Sequence, residues 1–362
     1  MAEEKRWKPL DLVKVTAEYL AGKSVPSPRL DAELLLCKAT GIARRVELYA
    51  GFEREVGPDD LAKYREMIRR RAGREPVSRI LGEREFMGIR FAVTPDVLSP
   101  RPETEFLVEA ALARVDPVRS VLSPEAEDAS RGPGAMTEEL EKLLDAYAED
   151  ADSDGETDAE KPLAAPVRPA DFPLASRMDR RSADRSAAGP ARTPRALDLG
   201  TGSGCIAVSL AARLPGARVT AVDISPNALK IARENARAVG VLGRIDFRLG
   251  DWLAVLPENE GYDLILSNPP YLVPGDPEIW PEVSRFDPPL ALYGGNDGLE
   301  AYRAIVPGLP GRLGPGGVAF LEVGAGQAEA VARMMRKSGL VGVAAHKDYG
   351  GVERIVSGER GR

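Results

Sequence analysis

Histidine and cysteine are almost missing from this chain of 362 residues, which has one of the first and two of the second. A lone His346 cannot build a histidine metal centre or a histidine-based triad by itself, and on a late strand it reads as a structural residue. Cys37 and Cys205 stand too far apart for a metal-ligand pattern and too few for a disulfide framework, so a reducing compartment fits best. No apolar run is long enough to span a bilayer, and the opening MAEEKRWKPL has charge with no apolar stretch behind it. These features set the expectation of a cytoplasmic protein with no membrane partner. Positive charge is not in excess either. Lys and Arg number 49 against 56 Asp and Glu, for a net charge of -7. The chain therefore lacks the bulk electrostatic attraction that supports nucleic-acid binding, and no direct nucleic-acid partner is expected.

What is present divides into regions. Residues 1–80 carry apolar positions at helical spacing, with Leu12, Val13 and Leu20 on one segment and Leu34, Leu35 and Leu36 on a second. Asp59 and Asp60 open a third segment, and arginines close it at 69–71, as the helix dipole favours. The pattern predicts a small helical bundle with a structural or substrate-docking role. Across residues 86–98 the texture alternates, with Gly88 and Pro95 as turn residues. That predicts a β-hairpin, assigned with the helix opened by RPETE to residues 81–115. From 116 to 193 the periodicity is lost. An acidic half is followed by one rich in Arg, Pro, Ala and Ser, which cannot bury enough apolar area to offset its ordering entropy. This segment is expected to be a disordered insertion, with a transient helix at 138–148. Residues 194–362 alternate short apolar strands with helices, the pattern of a mostly parallel, doubly wound α/β sheet.

The chemistry lies at the ends of those strands. DLGTGSG follows the first one, at residues 198–204. Its glycines, Gly200, Gly202 and Gly204, let the backbone turn sharply and approach a ligand, with Thr201 and Ser203 between them. The spacing is Gly-x-Gly-x-Gly and not the Gly-x-Gly-x-x-Gly of dinucleotide binders, and no P-loop lysine follows. Asp223 ends the next strand about twenty residues on, where a carboxylate can accept both hydroxyls of a ribose. Together these favour a nucleoside cofactor without a pyrophosphate. S-adenosylmethionine fits, and a nicotinamide cofactor is the lesser alternative. After the third strand, Asp251 can accept from an adenine amino group, while Trp252 reads either as an adenine wall or as a core aromatic.

The fourth strand ends in SNPPY, residues 267–271. Two prolines fix φ twice and remove two N–H donors, so carbonyls there stay free of helix formation. The Asn268 side chain and the Pro269 carbonyl make a rigid pair of acceptors suited to a planar NH2 group, with Pro270 stiffening the corner and Tyr271 available as an aromatic wall. Methyl transfer from a sulfonium is an in-line displacement in which positioning carries much of the catalysis. Two acceptors would stabilise the charge that grows on nitrogen, so no strong base is needed.

The Asn-Pro-Pro-Tyr corner together with DLGTGSG is shared by several classes of amino-methylating enzymes. Residues 74–109, the stretch DPPLALYGGNDGL at 287–299, and LEVG followed by Gln327 are more selective. With these segments the chain resembles the release-factor glutamine methyltransferases over nearly its whole length, 116–193 excepted. The resemblance implies a Rossmann-like, S-adenosylmethionine-dependent methyltransferase domain with a seven-stranded sheet, preceded by a helical domain and a hairpin. It implies methylation of the side-chain amide nitrogen of the glutamine in the Gly-Gly-Gln motif of class I peptide-chain release factors. A monomer is expected. It also implies roles. Residues 200–204 would hold the methionine part of the cofactor, Asp223 the ribose and Trp252 the adenine; residues 268–271 would hold the glutamine amide. Asp251 and Asn268 are also expected to touch the cofactor, Asp251 from its own chemistry. Two other readings compete. A DNA adenine-N6 or ribosomal RNA guanine-N2 methyltransferase would need a basic groove to take a flipped base. A non-catalytic cofactor-binding protein would tolerate loss of Asn268 or of a loop glycine, and neither is lost.

Overall fold

A computed structural model of the chain describes residues 7–51, 54–115, 193–277, 279–348 and 350–361. The segment read as a disordered insertion, with its helix at 138–148, lies outside the described residues apart from Thr193. The chain divides into two compact units, one of residues 1–108 with 192–362 and one of residues 109–191. Of the second unit only the end of one helix is described.

The N-terminal bundle contains α1 (Pro9–Ala21), α2 (Pro28–Thr40), α3 (Val46–Ala50), α4 (Pro58–Ala72) and α5 (Val77–Leu81). Proline occupies the first turn of α1, α2 and α4, where its missing N–H is no loss and its fixed φ is already helical. Gly41, at φ 73°, ends α2 in the left-handed conformation that a Cβ would oppose. Leu12, Val13, Leu35, Leu36, Leu48 and Tyr64 form a core of their own.

The hairpin is shorter and earlier than the sequence texture indicates. It pairs β1 (Glu83–Phe86) with β2 (Ile89–Ala92), turning at Met87 and Gly88, both at positive φ. A two-residue turn with φ positive at both positions matches the twist of the flanking strands. Gly88 signals it in the sequence; Met87 does not. Residues 93–101 then run on without strand pairing to α6 (Pro102–Val115), turning at 95–96, so the alternation at 93–98 marks a turn-bearing connection and not a second arm.

The catalytic-domain sheet has seven strands in the order β5-β4-β3-β6-β7-β9-β8, where β3 is Arg195–Leu199, β4 Arg218–Asp223, β5 Ile245–Leu249, β6 Tyr262–Ser267, β7 Leu313–Glu322, β8 Leu340–Lys347 and β9 Glu353–Arg360. Pairing is parallel from β5 to β7 and antiparallel where β9 inserts between β7 and β8. Residues 196–199 and 264–267 are buried without interruption, which requires cover on both faces of the central strands. Helices α7 (Cys205–Arg213) and α8 (Pro226–Val239) pack on each other beside β3, β4 and β5, and the helix Ala328–Lys337 packs on β8 and β9. The strand order reverses between β3 and β6, the switch point at whose carboxyl edge open α/β sheets bind ligands. No described helix is long and apolar enough to cross a membrane.

Candidate functional site

At that carboxyl edge β3 delivers the glycine loop and β6 delivers the Asn-Pro-Pro-Tyr corner. Leu199 and Ser267 are register partners, and the Ser267 hydroxyl donates to the Leu199 carbonyl at 2.7 Å. The two motifs therefore leave adjacent strands side by side.

Gly200, Gly202 and Gly204 all take positive φ, at 71°, 55° and 82°. The amides of Gly200 and Thr201 both donate to the Val222 carbonyl, at 2.9 and 3.0 Å, folding the loop back over β4. The Gly202 amide donates to Asp223 Oδ2 at 2.8 Å, and the Ser225 amide to Oδ1 at 2.8 Å. Asp223 is thus held rigidly, with lone pairs left on each oxygen for a ligand. Gly204 serves a different purpose. A Cβ there would lie 3.0 Å from the Cβ of Ala232, so glycine lets α7 and α8 approach.

Beneath the loop lies Asp198, fully buried, its Oδ2 accepting from Thr201 Oγ1 at 2.6 Å and from the Ala207 amide at 3.1 Å. Burial, the largest influence, pushes its carboxyl up from 3.8 to about 7 against those two hydrogen bonds. The folded chain keeps this proton where the unfolded chain releases it. The stability it contributes is complete below pH 3.8 and is lost as pH rises through about 7. Asp198→Asn, which stays neutral, is expected to flatten the dependence of melting temperature on pH between about 4 and 7. Thermal melts across that range check it, and an unchanged slope would contradict the raised carboxyl.

A cavity of about 660 Å³ opens at this edge. Its walls include Gly200, Thr201, Gly202, Ser203, Asp223, Asp251, Trp252, Asn268 and Pro270. Trp252 takes a positive φ of 42°, which is unusual for a bulky residue and is the sort of backbone strain that gathers at ligand sites. Its ring closes on the loop, since a Cβ on Gly200 would lie 3.2 Å from Trp252 Cζ3. Trp252 both packs on the main core and faces the cavity, so its two sequence readings are compatible. The donor set fits a nucleoside with a charged tail: a fixed carboxylate at Asp223, a second at the exposed Asp251, an aromatic wall, and a loop free of side chains at its glycines.

Three positions differ from the sequence expectation. Gly204 stands behind the cavity, as its contact with Ala232 shows, and Pro269 is buried and absent from the lining. Tyr271 is also absent from the lining. Its ring packs against the main core and its hydroxyl donates inward to Glu322 Oε1 at 3.4 Å. Burial drives its phenol well above the ordinary value. The tyrosine on the cavity wall is Tyr293, brought there by a parallel bridge between Leu272 and Tyr293. The Leu272 amide donates to the Leu292 carbonyl at 2.8 Å and the Gly294 amide to the Leu272 carbonyl at 2.9 Å. Only glycine fits at 294, because a Cβ would lie 2.5 Å from the Pro270 carbonyl oxygen. Gln327 clamps the corner from the other side, its Nε2 donating to the Tyr271 carbonyl at 3.0 Å.

Two sets of residues around the site escaped sequence reasoning. Thr104 and Glu322 meet the corner: Asn268 Nδ2 donates to Thr104 Oγ1 at 2.9 Å, and Thr104 Oγ1 donates to Glu322 Oε2 at 2.7 Å. Glu322 is 1% exposed, and burial pushes its carboxyl up from 4.5 to about 7 despite the Thr104 hydrogen bond. Their signal in the sequence was the RPETE and LEVG segments, to which no role was assigned. The second set is ionic. Arg71 pairs with Asp31 at 2.6 Å and Glu282 at 3.4 Å, Arg74 with Glu282 at 2.7 Å, and Arg79 and Arg101 with Asp287 at 2.9 and 2.6 Å. These pairs fasten the bundle and the post-hairpin segment to residues 282–287, which lead into the cavity wall.

Comparison with known proteins adds the following. Residues 11–82 match the family model described as the PrmC N-terminal domain, and residues 186–280 match that of the methyltransferase small domain. A release factor glutamine methyltransferase from Cereibacter sphaeroides is 36% identical over 349 residues, covering 96% of each chain. One from Geobacter sulfurreducens is 36% identical over 347 residues, covering 96% of this chain and 94% of that protein. One from Bordetella pertussis is 37% identical over 331 residues, covering 91% and 94%.

Proposed function

The chain belongs to the release factor glutamine methyltransferase family, and on that premise we propose that it transfers a methyl group from S-adenosylmethionine to the side-chain amide nitrogen of the Gly-Gly-Gln glutamine in class I peptide-chain release factors. The observation that carries this reading is that Asn268 and Pro270 share one cavity with the glycine loop and Asp223. An amide-binding corner and a nucleoside-binding loop thus face the same space. S-adenosylmethionine, when bound, supplies a methyl group on a sulfonium centre. Asp223 would hold its ribose hydroxyls, Trp252 would flank its adenine, and residues 200–203 would border its amino-acid end. Asn268 Oδ1 would accept from the glutamine NH2. That contact would help turn the nitrogen lone pair toward the methyl carbon and stabilise the positive charge that grows as the C–N bond forms. The methyl's bond to sulfur would break as the C–N bond forms, leaving a neutral thioether, and the nitrogen would then release one proton to water, which its raised acidity allows without a strong protein base. The working enzyme is read as a cytoplasmic monomer.

The deciding assay incubates the full chain with S-adenosylmethionine, an unmodified release factor and a nucleic-acid control, followed by tandem mass spectrometry. One added methyl on the Gly-Gly-Gln glutamine is the expected result. Transfer to DNA or RNA with none to protein would keep the amino-methylating chemistry and overturn the substrate. Asp223→Ala is expected to weaken S-adenosylmethionine binding at least tenfold, or about 1.4 kcal/mol, in calorimetry. An unchanged affinity would remove Asp223 from the ribose site.

A further inference from the structure

The Asn268 amide can face a substrate in two ways, and only one of them serves the reaction. With Oδ1 toward the cavity it accepts from an NH2 group. Flipped, it presents its own NH2, which would repel the substrate amine and the positive charge that forms on it. Shape alone does not choose, because the two ends of an amide are nearly isosteric. A hydrogen-bond chain does choose.

The chain begins at Glu322, at the end of β7 beside the corner. Its Oε2 lies 2.7 Å from Thr104 Oγ1, and its Oε1 lies 3.4 Å from the Tyr271 hydroxyl, which has the longer and weaker contact. An ionised carboxylate only accepts. With Oε2 unprotonated, the Thr104 hydroxyl gives its one proton to Glu322 at 2.7 Å, which leaves Oγ1 able only to accept from Asn268 at 2.9 Å. The amide then turns its nitrogen to Thr104, leaving Oδ1 to the cavity, whereas a proton on Oε2 would reverse the chain. Thr104 comes from the first turn of α6 and Glu322 from the end of β7, the strand paired with β6, so the polarity is imposed from two elements outside the motif.

We propose that Glu322, acting through Thr104, fixes the Asn268 amide with its oxygen toward the acceptor nitrogen, which makes Glu322 and Thr104 positioning residues for methyl transfer. This rests on the amide-binding role given to Asn268. Glu322→Gln is the sharpest probe. It preserves size but can donate to Thr104, whose proton then points to Asn268 and favours the flipped amide. Thr104→Val breaks the chain with little change of shape, and Thr104→Ser restores it.

The experiment measures steady-state kinetics of the full chain with S-adenosylmethionine and release factor, using whichever acceptor the parent protein methylates. Glu322→Gln and Thr104→Val are each expected to lower kcat by about 30-fold or more while KM and cofactor affinity stay within about threefold. Thr104→Ser should recover most of the turnover lost in Thr104→Val. The double variant should be no slower than Thr104→Val alone, because both substitutions break one chain. Losses that multiply, or a Glu322→Gln enzyme with parental kcat, would overturn the proposal. Neutron diffraction from crystals of the parent protein reads the amide directly, independent of turnover and of any variant's folding. Deuterons on the atom facing Thr104 support the assignment, and deuterons on the atom facing the cavity refute it. A parent protein that methylates no release factor would instead count against the substrate reading, leaving the amide assignment to diffraction.

Discussion

Asn268→Ala is expected to lower kcat by about 10²–10³-fold, the loss typical of removing one preorganised polar group aimed at developing charge. Cofactor affinity should change little, because Asp223, Trp252 and the glycine loop do not depend on that side chain for their own contacts. Stability should also hold. Asn268 is half-buried, and its side chain donates to Thr104, which keeps its stronger bond to Glu322. The measurement is a pair: single-turnover rate with saturating release factor, and calorimetric affinity for S-adenosylmethionine. A collapse of cofactor affinity with substantial residual turnover would move Asn268 from the substrate side of the cavity to the cofactor side. Asn268→Asp makes a useful companion. It keeps the size and one acceptor, but it puts a carboxylate next to Thr104, where Nδ2 donated before, and two acceptors then compete for one hydroxyl proton.

The parts of this site that were legible in the sequence are those where local chain chemistry dictates geometry. A strand ending in glycines at alternate positions must turn back on itself, and an acid ending the next strand falls beside it; Gly202 and Asp223 meet at 2.8 Å for that reason. Two successive prolines stop β6 in a fixed corner wherever the strand lies. Contacts between distant segments were not legible. Thr104 read only as part of a helix start and Glu322 as the end of a buried strand, and their bond spans 218 positions. Tyr271 illustrates the limit within a motif. Its backbone is fixed by the prolines, but the direction of its ring is set by the core around Glu322 and by Gln327, so the tyrosine on the wall is Tyr293, 22 positions later. The hairpin was placed late because alternation continues past β2 into a segment that pairs with no strand, where Arg79 holds the carbonyls of Thr94 and Val97.

Arg79 also leads to the largest expected effect on stability. Its guanidinium and that of Arg101 share Asp287, whose side chain is 1% exposed, while Arg79 is 4% and Arg101 30% exposed. Removing one partner from a buried pair leaves the other charge desolvated and uncompensated, at a cost of about 3–5 kcal/mol. Asp287→Asn is therefore expected to destabilise the protein by roughly 3 kcal/mol, near the lower end because Arg101 can regain water. In thermal melts this corresponds to a fall of about 6–12 °C for a domain of this size. The exposed pair between Asp297 and Arg303 supplies the control, and Asp297→Asn should leave the melt essentially unchanged. The consequence reaches the site as well. Asp287 immediately precedes Pro288, Leu290, Ala291 and Tyr293 on the cavity wall, while Arg79 holds the segment that bears Pro95 and Asp96 on the same cavity. Loosening that joint should raise KM for the release factor at temperatures well below the melt. A variant that melts like the parent would mean that Asp287 is dispensable to both arginines.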